Sequence, residues 1–178
     1  MSLQSYTDLL QIVEQGIITP VNTDNVNGAS IELHLADTIL VEDERGGIVN
    51  VAKKQTLRMR EEKLNKCYDL MPGEFILAST TEVFNLPDCL VGEYYLKSSM
   101  ARVGLEHLHA GHCDPGWHGS QLTLELVNLT RHHIIRLTKG MKIGQMVFHL
   151  VEPVPDGAGY DVRGQYNGQH GPVSKGVR

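Results

Sequence analysis

The sequence predicts an all-β barrel or sandwich, and three observations carry that reading. Short runs with apolar residues at every second position recur between turn signals. Only residues 5–15 have convincing helical periodicity. The 18 glycines among 178 residues suit a chain with many tight turns. In order, Ser5 is a candidate N-cap with Asp8 three residues on, Leu9, Leu10, Ile12 and Val13 follow, and Gly16 is a natural stop. From Gly28 the period becomes two, with Ile31, Leu33 and Leu35 alternating against Glu32 and His34. Residues 38–41 and 48–51 flank Asp43-Glu44-Arg45-Gly46-Gly47 and read as a hairpin. Residues 53–66 are highly charged with weak helical periodicity, which favours a solvated face or mobile loop. Pro72-Gly73 opens a strand at 74–79, and 90–96, 121–129, 134–137 and 143–151 follow as further strands, with turns at Pro115-Gly116 and Gly140-Met141.

No fixed-period repeat is visible. The chain therefore divides into one β domain over 1–152 and a tail over 153–178, where six glycines sit among Gln, Asn and Tyr. Such a tail cannot build its own core and is expected to stay disordered or to fold onto a ligand or a neighbouring subunit.

A net charge of −5 and a pI near 6.0 argue against coating a nucleic acid polymer, but leave room for binding one nucleotide through a few local cations. No apolar run reaches membrane-spanning length, and Met1-Ser2-Leu3-Gln4-Ser5 lacks a basic-then-apolar leader pattern. Cys67, Cys89 and Cys113 are odd in number and widely spaced, as expected of reduced thiols in the cytoplasm.

The chemistry-bearing segments lie between 97 and 145. In Leu122-Thr123-Leu124-Glu125-Leu126-Val127-Asn128, alternation sends the leucines to one face and Thr123 and Glu125 to the other. Strands disfavour glutamate, so Glu125 is either an exposed residue on an outer face or a positioned acid/base. Lys97-Ser98-Ser99-Met100-Ala101-Arg102 offers hydroxyls, amides and two cations, which fits an anion site or an ordinary helix start. Asp114-Pro115-Gly116-Trp117 is a good turn in its own right. His107, His109, His112, Cys113 and His118 could be drawn as a zinc site, yet the H-x-E and P-C-x-x-C of zinc-dependent nucleobase deaminases are missing, which favours structural or nucleotide-proximal histidines over zinc ligands.

Together these segments resemble the dCTP deaminase branch of the trimeric dUTPase-like superfamily, in which a KSS/RSS-x-(A/G)-R-x-G-L segment precedes a D-P-G turn and an L-E strand. The resemblance runs from Asn27-Gly28-Ala29-Ser30 to Pro172 and includes Gly140-Met141-Lys142-Ile143-Gly144-Gln145 and Tyr166-Asn167-Gly168-Gln169-His170-Gly171-Pro172. It implies a distorted β-barrel or jelly-roll of dUTPase-like type with one or two short helices. It also implies a catalytic Glu125 helped by Arg102 and Ser98. Lys97, Ser98 and Ser99 would meet phosphate and Arg102 the base. Asp114 would meet the sugar, and the Ala110 carbonyl would help hold the catalytic water or the amine. Thr123, Leu124, Gln145, Tyr160 and Gln169 complete the implied nucleotide contacts.

The same resemblance implies a homotrimer with sites shared between chains. No cofactor is expected for deamination, Mg²⁺ arrives on the triphosphate, and dTTP is a candidate feedback inhibitor. Three departures stand out. The stretch from Leu105 to Asp114 is one residue short, the turn from Trp117 to Glu125 one residue long, and Gln165 replaces a tail lysine. Deamination of dCTP to dUTP is the expected reaction. The alternatives are a dUMP-forming deaminase, a dUTPase and a nucleotide-sensing module without turnover.

Overall fold

The computed structural model describes residues 2–175; Met1, in the leader segment, and 176–178, at the end of the tail, lie outside them. β1 (Ser2–Leu3) leads into α1 (Tyr6–Glu14), where the backbone N–H and hydroxyl of Ser5 both donate to the Asp8 carboxylate, at 2.9 and 2.6 Å. Those bonds occupy a helix-start donor and hold Asp8 below the usual carboxylate range. Leu9 and Ile12 form the buried stripe of the helix. β2 (Ile18–Thr19), β3 (Ile31–His34), β4 (Thr38–Glu42), β5 (Met59–Lys63), β6 (Cys67–Leu70), β7 (Phe75–Asn85) and β8 (Leu90–Leu96) follow. After the single turn of α2 (Ser98–Ala101) come β9 (Leu105–His107), β10 (His112–Cys113), β11 (His118–Asn128), β12 (Ile135–Thr138), β13 (Lys142–Leu150) and α3 (Tyr160–Arg163). The mostly-β expectation holds.

Every strand pairing is antiparallel. One sheet runs β1-β13-β8-β10 with β3 also on β13, a second runs β5-β4-β7-β11-β9 with β2 on β7, and β12 pairs with β6. Among the described residues none of these sheets closes on itself, so the barrel is an open one. Leu33, Ile39, Ile76, Phe84, Leu124, Leu126, Ile143 and Phe148 are fully buried between the layers. Each such side chain stabilises the fold by about 1.5–3 kcal/mol. Glu82 is buried as well, taking up both the N–H and the imidazole of His34 and so tying β7 to β3; burial raises its carboxyl pKa. Among the described residues no helix is long and apolar enough to cross a membrane.

The hairpin expected over 38–51 is only half present. β4 pairs with β5, Thr38 opposite Lys63 and Glu42 opposite Met59, while Ile48 is 97% exposed and takes no part. The second arm lies inside the charged stretch read as a loop or solvated face. β5 is an edge strand whose Arg60, Glu61 and Lys63 are exposed, so no apolar alternation marks it. β7 runs six residues beyond the expected strand end.

β11 carries one unpaired residue between His118 and Ser120, with Gly119 at φ +63°, and the register shifts again between Gln121 and Thr123, where the added residues lie on β7. Such β-bulges let a strand gain a residue while its pairing continues.

The tail, expected to be disordered or to reach a neighbour, lies along its own chain. Gln121 N–H donates to the Gln169 carbonyl at 2.9 Å, Gln169 Nε2 donates to the Gln121 carbonyl at 2.8 Å, and Gly171 N–H donates to Gln121 Oε1 at 2.6 Å. Polar groups of β11 thereby satisfy a segment too poor in apolar residues to pack alone.

Candidate active site

A cavity of about 390 Å³ opens where β10, the Asp114 turn, β11 and the tail converge. That volume suits a small-molecule site. From β11, Thr123 and Glu125 face the cavity while Leu124 and Leu126, both 0% exposed, take the core side; Leu122, 6% exposed, also borders the cavity. The turn contributes Asp114 and Trp117; Gly116 at φ +84° allows the Trp117 N–H to reach back to the Asp114 carbonyl at 3.2 Å. Trp117 stacks on Phe84 with ring centroids 5.3 Å apart. Ala110 and His112 stand beside the turn, and His112 Nε2 lies 3.2 Å from Asp114 Oδ1. Tyr160, Tyr166 and Gln169 form the tail side.

Glu125 is the lone carboxylate on the β11 wall. Its side chain is 26% exposed, but Oε2 is buried and 3.2 Å from Nε2 of His107, whose side chain is 3% exposed. The two atoms approach within ion-pair distance yet outside hydrogen-bonding geometry, and neither has another hydrogen-bond partner. The exposure of Glu125 therefore belongs to its remaining atoms, which leaves the other carboxylate oxygen to serve the cavity. A half-buried carboxylate on a cavity wall, with one oxygen 3.2 Å from a buried imidazole, can take a proton from water and return it.

Six residues predicted for the site are thus brought together: Ala110, Asp114, Thr123, Glu125, Tyr160 and Gln169. The others are not. Leu124 turns its side chain fully into the core, so only its backbone could meet a ligand there. Lys97 Nζ donates to the Glu32 carboxylate, which also takes Lys142. Burial disfavours the ionised Glu32, but the two lysines outweigh it and lower its pKa below 4.5. Gln145 accepts from the Ser30 hydroxyl at 3.2 Å. Ser98 and Ser99 lie in α2, and Arg102, at its end, lines a separate cavity of about 810 Å³ with Met100, Val103, Leu129 and Ile134. Val103, Leu129 and Ile134 are each more than half exposed there. Among the described residues the cavity of Glu125 is lined by no lysine or arginine.

His107, which the sequence favours as a structural or nucleotide-proximal histidine over a zinc ligand, is not among the residues expected in the site, yet its Nε2 lies 3.2 Å from Glu125 Oε2. Its signal was the odd position in Leu105-Glu106-His107, which puts it on the same side as the buried Leu105. The histidine cluster itself is dispersed. His109 is exposed at φ +57°, His112 faces Asp114, and His118 Nδ1 lies 2.9 Å from the Gly116 carbonyl oxygen. Among the described residues no three His, Cys, Asp or Glu side chains gather as a metal site. Cys113 is a buried free thiol whose pKa is pushed up by burial and by Asp114.

Comparison with known proteins gives the family and the fold. Residues 2–151 match the family described as dCTP deaminase-like. A Streptomyces avermitilis protein named "dCTP deaminase, dUMP-forming" is 40% identical over 163 residues, covering 88% of this chain and 84% of that protein. One of the same name from Aquifex aeolicus is 36% identical over 166 residues, covering 92% of this chain and 88% of the relative. The crystal structure of 2′-deoxycytidine 5′-triphosphate deaminase from Agrobacterium tumefaciens shares the fold with a TM-score of 0.66 at 18% identity, over 83% of this chain and 48% of that one. The relatives' names favour a dUMP-forming reaction over the dUTP-forming one expected from the sequence. By the span of that match and the identity of these relatives, the chain belongs to the dCTP deaminase-like family.

Proposed function

We propose that this chain hydrolyses dCTP to dUMP, ammonia and pyrophosphate, consuming two waters. The observation that carries the reading is Glu125, half-buried on the wall of a nucleoside-sized cavity with Oε2 3.2 Å from the buried imidazole of His107. In the first stage water adds to C4 of the cytosine while Glu125 accepts its proton. The carboxyl then returns that proton to the amino nitrogen as the C4–N bond breaks, the remaining hydroxyl proton passes to N3, and a 4-oxo group and ammonia result. In the second stage water attacks the α-phosphorus and the bond to the bridging oxygen breaks, releasing pyrophosphate. Mg²⁺, bound through the triphosphate, would spread the charge on the departing group. Asp114 and its turn would take the sugar, while Thr123, Tyr160 and Gln169 frame the nucleotide.

Among the described residues no lysine or arginine lines the Glu125 cavity, which supports a homotrimer. The segment with Lys97, Ser98, Ser99 and Arg102 sits at another, partly apolar surface, so a second copy would bring it to the cavity, as closed three-fold symmetry allows. In that assembly Arg102 and Ser98 orient and polarise the base, and dTTP, which shares the triphosphate but lacks the 4-amino group, is an expected inhibitor.

A dUTP-forming reaction keeps one observation in its favour, the glutamine at 165 where a tail lysine would neutralise departing pyrophosphate. The test is to incubate the full chain with dCTP and Mg²⁺, assay ammonia and resolve nucleotides by ion exchange. Equimolar ammonia, dUMP and pyrophosphate without a dUTP lag is the expected result. Accumulation of dUTP would restore the simpler reaction, and tight dCTP binding without ammonia would make the chain a sensing module.

A further inference from the structure

Oε2 of Glu125 and Nε2 of His107 are both buried and face one another across 3.2 Å. Among the described residues neither atom has a hydrogen-bond partner. The His107 side chain is 3% exposed and stands behind the cavity wall, outside the lining of the cavity itself.

The chain fixes His107 in that place. β9 pairs with β11 so that His107 lies opposite Leu126, the residue after Glu125. The backbone N–H of His107 donates to the Glu106 carboxylate at 3.0 Å, and its carbonyl accepts from the His109 N–H at 2.7 Å. The next residue, Leu108, donates its N–H to the Glu125 carbonyl at 3.4 Å. The ring of Tyr94, from β8, meets the imidazole edge-on, with centroids 4.6 Å apart and planes at 61°.

Packing alone does not call for a histidine here. Leu105, two residues earlier on β9, is 1% exposed, and an apolar side chain at 107 would fill its own space without burying a ring nitrogen. It would, however, leave Oε2 of Glu125 buried with no donor in reach, which is costly for an acceptor that carries charge. An imidazole N–H supplies that donor, and an ionised carboxylate can only accept. A small rotation of either group would bring the N–H into line across the 3.2 Å already present. Catalytic hydrogen bonds are often misaligned before substrate arrives and tighten once it is bound.

We propose that His107 is a positioning residue for Glu125: during turnover its Nε2–H donates to Oε2, which fixes the plane of the carboxylate and leaves the other oxygen to take the proton from water. That role rests on the deaminase reading above. Because His107 does not touch the nucleotide, losing it costs rate and spares affinity.

The test uses the full chain as wild type, His107→Phe and His107→Gln. With dCTP and Mg²⁺, kcat should fall about tenfold to a hundredfold in His107→Phe while KM stays within about twofold. His107→Gln, whose side-chain amide can donate to the same oxygen, should recover kcat to within about threefold of wild type. Independently of turnover, long-range ¹H–¹⁵N spectra of the wild type should show a proton on Nε2, the His107 signals being identified by their loss in His107→Gln. Wild-type kcat in His107→Phe, equal loss in both variants, or a bare Nε2 with the proton on Nδ1 would each overturn the proposal. If His107→Phe failed to fold, the His107→Gln kinetics and the wild-type spectra would decide it by the same criteria. If wild type released no ammonia, the deaminase reading would fall, and the spectra would still decide whether His107 donates to Glu125.

Discussion

The indole N–H of Trp117 donates to the carbonyl of Tyr166 at 3.1 Å, and the Ser120 hydroxyl donates to the same oxygen at 2.9 Å. One carbonyl of the tail is thus pinned by the Asp114 turn and by β11 together. Trp117 is the single tryptophan of the chain and is 4% exposed. Its position reports directly on tail closure.

Removing residues 165–178 should therefore move the tryptophan emission to the red and raise KM for dCTP about tenfold, the equivalent of ~1.4 kcal/mol. The core between the sheets does not involve the tail, so far-UV circular dichroism should be unchanged. Emission identical to wild type in the truncated chain would show that the tail does not cover Trp117 in solution.

Glu125→Gln should keep the fold and dCTP binding and lower deamination by about two to four orders of magnitude, because an amide of the same shape cannot take a proton from water. Single-turnover assays with dCTP measure it. Turnover within tenfold of wild type would remove Glu125 from the chemistry.

If the Glu125 cavity and the Arg102 segment come from different chains, two inactive variants can complement each other. Glu125→Gln and Arg102→Ala, each nearly inactive alone, should regain part of the deaminase activity when unfolded, mixed and refolded together. Mixed trimers would contain sites with both residues intact. No recovery, together with a monomeric mass by light scattering, would contradict the shared site.

Glu32 holds Lys97 and Lys142 with a carboxyl whose pKa is lowered from its ordinary 4.5. A depressed acid contributes stability that is full above its unfolded value and is lost as the pH falls through the folded one. Glu32→Gln should therefore cost about 1–2 kcal/mol at neutral pH, discounted because both lysines are partly exposed. The cost should shrink once the pH drops below 4.5 and through the lowered value. Urea midpoints of both proteins at neutral pH and at about pH 3 test this. A gap that stays constant across that window would mean the ion pairs contribute nothing.

Much of this molecule was legible in its sequence wherever a local period was strong. β8 occupies the residues expected of it, and the alternation of β11 put Glu125 and Thr123 on one face and the leucines on the other. For Leu124 that alternation put the side chain in the core, which leaves its backbone for the nucleotide contact that the family resemblance implies. What the period could not supply was the choice of neighbours. β5 carries charges because only one of its edges is paired, so its role as the partner of β4 left no apolar pattern to read. His107 reaches Glu125 because β9 pairs with β11, placing His107 opposite Leu126 across a long connection. Arg102 and Glu125 read as one site in the sequence, yet α2 follows β8 in one sheet while Glu125 sits on β11 of the other. Side-chain direction along a strand is set by its own backbone, and so can be read locally. Which strands meet is settled by non-local pairing and burial, and so only the tertiary structure could separate those two segments.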